Sequence, residues 1–341
     1  MRLFQGFGHR FGEVIRLISL ALPTVAAAAL TPTYAQDDAA GFPSRTITMI
    51  VPYPPGGPPD VVARIFAAPM AQELGRPIVI ENKPGASSSL ASIALARAAP
   101  DGHTIMVADI SQSVAPYILK SPGFDPIRDF KPIGLTTRSM QSLLVSPTVP
   151  ARTICELIKL AQTMPDELKI AHSGIGGPPY LTAVAFMQAA NIKLSLLYYR
   201  GIAQGVTDVI GGHVAMLFTG PSLTAELHNA GKARVLAVTG SKRLAVMPDV
   251  PTLEESGVEM RAMRNGYAFG FVAPANTPDA IIARLNSAVH KVARNPAIVA
   301  SLARLEISPA TSTPEAFGKI IREDHDYWRD MLKSLGVTAT E

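Results

Sequence analysis

Apolar runs alternate with helically spaced apolar positions along most of the chain. "RTITMIVPY", residues 45–53, is β-branched and apolar and is bounded by proline, which predicts a buried strand. In "DVVARIFAAPMAQELG", Val62, Ile65, Phe66, Met70 and Leu74 recur at helical spacing, with Asp60 placed as the N-cap. Pro69 inside that pattern is expected to kink or break the helix. "RPIVIEN", "SSLASIALARAA" and "HTIMVAD" continue as strand, helix and strand. A second series starts near residue 140. "SLLVSP", "LKIAHSG", "LSLLYYR", "VAMLFTG" and "ARVLAVTG" predict strands. "TICELIKLAQ", "YLTAVAFMQAA", "QGVTDVIGG" and "LTAELHNAG" predict the helices between them. A return strand, "YAFGFVAP", precedes three helical patterns that run to the C-terminus.

This alternation predicts an α/β protein with parallel sheets in two halves. "DFKPIGLTTRSMQSLLVSP" and "RNGYAFGFVAPANTP" are the expected crossings between them. The expected division is residues 1–35 as a leader, 36–138 with 272–341 as the first lobe, and 139–271 as the second.

The leader follows from the N-terminal pattern. Arg2, Arg10 and Arg16 precede "LISLALPTVAAAAL", and "TYA" ends at Ala35. A basic region, a short apolar region and a small-x-small ending are those of a secretory signal peptide cut near Ala35. The apolar stretch, about 14 residues, is short for a membrane span. Loss of Arg2, Arg10, Arg16 and Glu13 lowers the net charge from +4 to about +2. The remaining Lys and Arg are scattered, so no nucleic-acid stripe is expected. Cys155 is the only cysteine, so no internal disulfide is possible. It lies in an apolar helical pattern and is expected to be a buried structural thiol.

Candidate chemistry centres on two turns. "VPYPPGGPPD" (51–60) and "HSGIGGPPY" (172–180) each join a strand to a helix and combine Gly-Gly with Pro-Pro. Glycine admits close backbone approach, proline fixes shape, and a helix N-terminus presents unpaired N–H groups and partial positive charge. Both turns fall at C-terminal strand ends, where open α/β sheets bind ligands. Two such ends across a cleft suit a small anion, although rigid αβ turns with no ligand would read the same way. The first turn, with Tyr53 at its head, supplies Pro55, Gly56, Gly57, Pro58, Pro59 and Asp60. The second supplies Ser173, Gly174, Ile175, Gly176, Gly177, Pro178, Pro179 and Tyr180. Tyr180, Tyr199 and Tyr267 lie at predicted element ends and either stack on a ligand or line the core.

Other chemistries lack their residues. No Gly-Lys-Ser/Thr closes a phosphate loop, and no G-x-G-x-x-G follows a strand. There is no H-E-x-x-H, metal-ligand spacing or G-x-S-x-G elbow. His172 beside the second turn is expected to be a packing residue. With no converging nucleophile and base, an enzyme is not expected.

Taken in order, "VPYPPGGPPDVVAR", "LGRPIVIENKPGA", "AAPDGHTIMVA", "DPIRDFKPIGL", "SGIGGPPYLTA", "YYRG", "VTDVIGGHVAMLF", "GKARVLAVTGSKRLAVMPDVPTLEESGV" and "FVAPANTP" cover essentially the whole chain after the leader. In these motifs the chain resembles the tripartite tricarboxylate transporter substrate-binding receptors, the Bug family. The resemblance implies a two-lobed periplasmic-binding-protein fold of type II-like design, closing on a ligand. It implies a soluble, monomeric periplasmic receptor without cofactor that captures a small organic carboxylate for a two-component membrane permease. An orphan sensor presenting the ligand to a signalling partner is the second reading. By the same resemblance, Pro55 to Asp60 and Ser173 to Pro179 contact the ligand carboxylate. The loop Asp109 to Ser113, with Ser111, and the motif Tyr199, Arg200 and Gly201 complete the site. This chain departs from the family at Pro59, where Thr is usual, at Pro178, where Ser or Thr is frequent, and at Tyr180, where His is frequent. Ala215 and Thr219 stand where Asp is often seen. The loss of hydroxyls and acids favours a carboxylate with an apolar or aromatic body over an amino acid.

Overall fold

The computed structural model describes residues 41–337 and 339, all within the compact unit that begins at Asp37. The expected leader lies outside the described residues. The first half runs β1 (Ile47–Val51), α1 (Pro58–Leu74), β2 (Ile78–Asn82), α2 (Ser89–Ala96), β3 (Thr104–Ala108), α3 (Ile110–Ile118) and β4 (Phe130–Ser139). The second runs β5 (Ser142–Val145), α4 (Ile154–Thr163), β6 (Lys169–His172), α5 (Pro178–Ala189), β7 (Ser195–Tyr198), α6 (Ile202–Ile210), β8 (Met216–Thr219), α7 (Pro221–Asn229) and β9 (Arg234–Val238). The chain returns through β10 (Tyr267–Pro274), α8 (Asp279–Ala293), α9 (Pro296–Ala303), β11 (Ile307–Pro309) and α10 (Pro314–Ser334).

The strands form two sheets, in the orders β11-β4-β10-β3-β1-β2 and β7-β6-β8-β5-β9. Neither is wholly parallel, contrary to expectation. β1 pairs parallel with β2 and β3, and β6 with β7 and β8. β10 runs antiparallel between β3 and β4, and β5 antiparallel between β8 and β9. β11 also pairs antiparallel with β4 at the sheet edge. β10 and β5 are the strands by which the chain enters each lobe from the other, and such a strand has no crossover helix to bring it in parallel.

The two lobes share a local plan. β1 sits between β2 and β3, and β6 between β7 and β8. In each lobe the chain leaves the central strand to one side and returns to the other, which is a topological switch point. The Gly/Pro turns sit at these two switch points, after β1 and after β6.

Both faces of each sheet are covered, so the central strands are apolar on both sides. Ile47, Met49, Ile50 and Val51 of β1 are all buried. Phe66 of α1 meets Phe271 of β10 edge-on at 5.9 Å, and Phe186 of α5 meets Phe218 of β8 at 5.7 Å. Trp328 anchors α10.

Four local expectations are corrected. Gly57, not Asp60, is the N-cap of α1. The helix continues through Pro69, because buried Phe66 and Met70 hold it. Each such side chain contributes about 1.5–3 kcal/mol, against about 3 kcal/mol for an internal proline. Cys155 is exposed: α4 buries Ile154, Leu157 and Ala161, which turns residue 155 to solvent. Residues 110–118 form α3 rather than a loop, with Asp109 as its N-cap. In addition, β10 lies in the first sheet along its whole length, although residues 267–271 were expected in the second lobe.

Candidate functional site

A cleft of about 340 Å³ lies between the two sheets' strand ends. Tyr53 and Pro55 to Pro59 line it from the first turn, and Ser173, Gly177, Pro178 and Pro179 from the second. Arg200, Gly201, Thr219 and Tyr267 line it as well. A larger open groove of about 780 Å³ between α8 and α10 borders none of the Gly-Pro turns.

Four helices begin at the cleft: α1, α5, α6 and α7. Their N-caps are Gly57, Gly177, Gly201 and Gly220, and none has a side-chain cap. All four glycines line the cleft. Neither backbone nor packing requires glycine at three of them. Gly57, Gly201 and Gly220 have φ of −77°, −156° and −61°. A Cβ on Gly57 would meet nothing nearer than 3.9 Å, and one on Gly201 or Gly220 nothing within 4 Å. Ser or Asp would cap these helices better. What glycine provides here is open space in front of four positively polarised helix ends without side-chain caps; in α1 and α5 the Pro-Pro pair leaves no N–H at the first two helical positions, so there the helix dipole acts more than direct donors do. Among the described residues, Arg200 is the one charged side chain lining the cleft.

The rest of the lining is mostly apolar: Pro54 and both Pro-Pro pairs, with Met140, Ile202, Ala203 and Phe269. Met140, Phe269, Ser139, Gln141 and Gly220 were not singled out from sequence. Gly220-Pro221 repeats the Gly-Pro start of α1 and α5, a signal that could have identified it. Ser139 ends β4, and Met140 and Gln141 join it to β5; this crossing carries no motif.

Several candidates support the cleft without lining it. Asp60 is 1% exposed and accepts hydrogen bonds from the Gly56 N–H (2.9 Å), Arg64 (2.8 and 3.0 Å) and Asn82 (2.8 Å). Burial alone would raise its carboxyl, but Arg64, Asn82 and Gly56 hold it below the usual range. The Gly56 N–H is thus spent on Asp60 and fixes the first turn. The Gly174 N–H similarly donates to His172 Nδ1 at 3.3 Å, and Gly177 N–H to the Gly174 carbonyl. Asp109 and Ser111 lie beneath Tyr53, whose hydroxyl donates to Asp109 Oδ2 at 2.6 Å and lies 2.6 Å from Ser111 Oγ. Burial lifts both the Tyr53 phenol and the Asp109 carboxyl, so the phenol stays neutral and donates. Ser113 is buried in α3, and its carbonyl faces His325 Nδ1 at 3.0 Å.

Ile175 and Gly176 dock on the first lobe instead of lining the cleft. The Ser87 hydroxyl donates to the Ile175 carbonyl at 2.8 Å. A Cβ on Gly176, at φ +77°, would stand 2.3 Å from Ile118 Cδ1. Tyr180 is buried, edge-on to His172 at 5.1 Å, so of the two roles expected of it, stacking on a ligand or lining the core, it takes the second. Its helix starts at Pro178, which turns position 180 inward against buried His172. Tyr199 also lies off the cleft. It donates to Asp208 at 2.5 Å, and burial with that neighbour pushes its phenol to about 12. Tyr267 lines the cleft, and its hydroxyl bonds the Pro178 carbonyl (2.6 Å) and Thr182 Oγ1 at the start of α5.

Two lobes with a cleft at paired switch points, walled by bare helix ends, define a solute-binding receptor. Residues 62–337 match the tripartite tricarboxylate transporter family receptor, and the chain belongs to that family. It is 31% identical over 306 residues to the UPF0065 protein of the tcbD-tcbE intergenic region of Pseudomonas sp., covering 88% of this chain and 89% of that one. It superimposes on the periplasmic binding protein BugD with a TM-score of 0.77 at 29% identity, covering 88% and 100% of the two chains. MatC of Rhodopseudomonas palustris with bound malate matches with a TM-score of 0.75 at 30% identity, over 85% and 100%.

Proposed function

We propose that this protein captures a small carboxylate in the interlobe cleft, in the periplasm, and delivers it to a tripartite tricarboxylate-type permease. One observation carries the reading: four uncapped helix N-termini, each with a glycine N-cap, converge with Arg200 on one cleft. Each helix end attracts an anion by typically 0.3–1 kcal/mol, and more where water is excluded. No chemical conversion is implied. Among the family's solved structures, MatC holds malate and the R. palustris protein Rpa4515 (26% identical, TM-score 0.79, 88% and 100% covered) holds adipate. Both ligands are carboxylates.

Gly201→Asp tests this. A carboxylate at the N-cap should stabilise α6 by about 0.3–1 kcal/mol. The same carboxylate would occupy the anion's place. Melting temperature should hold or rise, while calorimetry should show at least about a tenfold loss of carboxylate affinity. Unchanged affinity in a folded Gly201→Asp variant would refute the site. Uptake by vesicles carrying the permease, dependent on added receptor, tests delivery.

A further inference from the structure

Residues 85–88, between β2 and α2, hold a backbone conformation that most of their side chains disfavour. Gly85, Ala86, Ser87 and Ser88 all have positive φ, at +129°, +45°, +49° and +71°. Glycine enters this region freely, but a residue with a Cβ does so at a cost, because the Cβ crowds the following carbonyl oxygen. Among the described residues, the other non-glycine residues with positive φ are Asp166, Asn191 and Glu306, and each stands singly. The middle residue of the run touches the other lobe. Ser87 Oγ donates to the Ile175 carbonyl at 2.8 Å, and Ser87 Cβ lies 3.8 Å from where a Cβ on Gly176 would stand. The Ser89 N–H donates to the Ala86 carbonyl at 2.9 Å, which closes the run onto the start of α2. None of residues 85–88 lines the cleft. The strained backbone and the lobe contact thus coincide, apart from the ligand.

We propose that residues 86–88 act as a spring at the lobe contact: the second lobe holds the left-handed run in place, the run relaxes when the lobes part, and the receptor's grip on its ligand is thereby limited. The inference rests on the carboxylate-receptor reading of this cleft. Strain confined to one of two states raises the free energy of that state alone. It lowers the apparent affinity of any ligand that needs that state, by the same factor for each. Release to a membrane partner requires the lobes to part, and strain stored where they touch favours that step. The hydrogen bond from Ser87 to Ile175 acts in the opposite sense and holds the lobes together.

Calorimetry on the leaderless protein would use malate, adipate and benzoate as probes. A variant carrying both Ala86→Gly and Ser88→Gly keeps the Ser87 contact and relieves the run. Every probe that binds the wild type should bind this variant about tenfold tighter, by a common factor, because no cleft contact changes. Ser87→Ala removes the hydrogen bond between lobes and should weaken each probe about threefold to tenfold. The inference is overturned if the glycine variant binds its probes no tighter than wild type, even where its melting temperature rises, since the run is then equally strained with the lobes apart. It is overturned too if the gain is confined to one of several binding probes, or if Ser87→Ala leaves affinity unchanged. If no carboxylate binds the wild type, the receptor reading itself falls, which is a distinct outcome.

Discussion

Asp324 shows how a single side chain couples the C-terminal helix to the crossing between lobes. It sits on α10 in a small cavity with Arg138, Arg261, Glu323, Tyr267 and Tyr327. Arg138 reaches the carbonyls of Asn265 and Gly266, just before β10. Burial lifts the Asp324 carboxyl to about 7; Arg138 opposes this, while Glu323 and Asp109 add to it. The folded state therefore holds this proton more tightly than the unfolded chain, whose carboxyl titrates near 3.8. Its contribution to stability is complete below that value and is lost as pH rises towards 7. Asn resembles the protonated acid. Relative to wild type, Asp324→Asn should gain melting temperature between pH 4 and pH 8, by roughly 2 °C per kcal/mol. A constant difference across that range would refute the coupling. Nothing in "REDHDYWRD" distinguishes Asp324 from Asp326 or Asp330, because the burial that separates them comes from packing on β4 and β10.

The contacts between elements explain why both turns hold their shape. The Tyr267 hydroxyl ties the first residue of β10 to the first turn of α5, through the Pro178 carbonyl and Thr182. This latch sets the angle at which α5 presents its bare end. Tyr267→Phe should cost about 1 kcal/mol of stability, and should weaken carboxylate binding by freeing the start of α5. Denaturant melts with calorimetry would check both; unaltered binding would mean α5 needs no latch. Helices and strands were legible from apolar spacing, Pro69 being overridden by packing. β11 was missed because three residues on a sheet edge carry too little pattern.

For the whole molecule, the two lobes touch beside the cleft, where Ser87 and Ile118 of the first meet Ile175 and Gly176 of the second. Gly176→Val forces a Cβ towards Ile118 from a left-handed backbone. The lobes should then fail to meet. Small-angle scattering should show no compaction with ligand, and affinity should fall although residue 176 does not line the cleft. Ligand-driven compaction like that of wild type would refute a role in closure. The closure proposed for capture would be a hinge motion about the crossing segments. The similar turns in the two halves suggested a shared plan, and the neighbour orders β2-β1-β3 and β7-β6-β8 supply it.

The amino-acid sequence by itself determined the α/β class, most elements, the two Gly/Pro turns and the family resemblance, because these depend on local spacing and residue type. Only the tertiary structure decided which turn residues face the cleft. Gly57 and Gly177 line it, whereas Gly176 and Tyr180, one and three positions away from Gly177, point their roles elsewhere. It also brought in Gln141, Met140 and Phe269 from unmarked crossing segments. The reason is physical: a ligand site between lobes is made by long-range juxtaposition, and one residue's step along a turn reverses the face it presents.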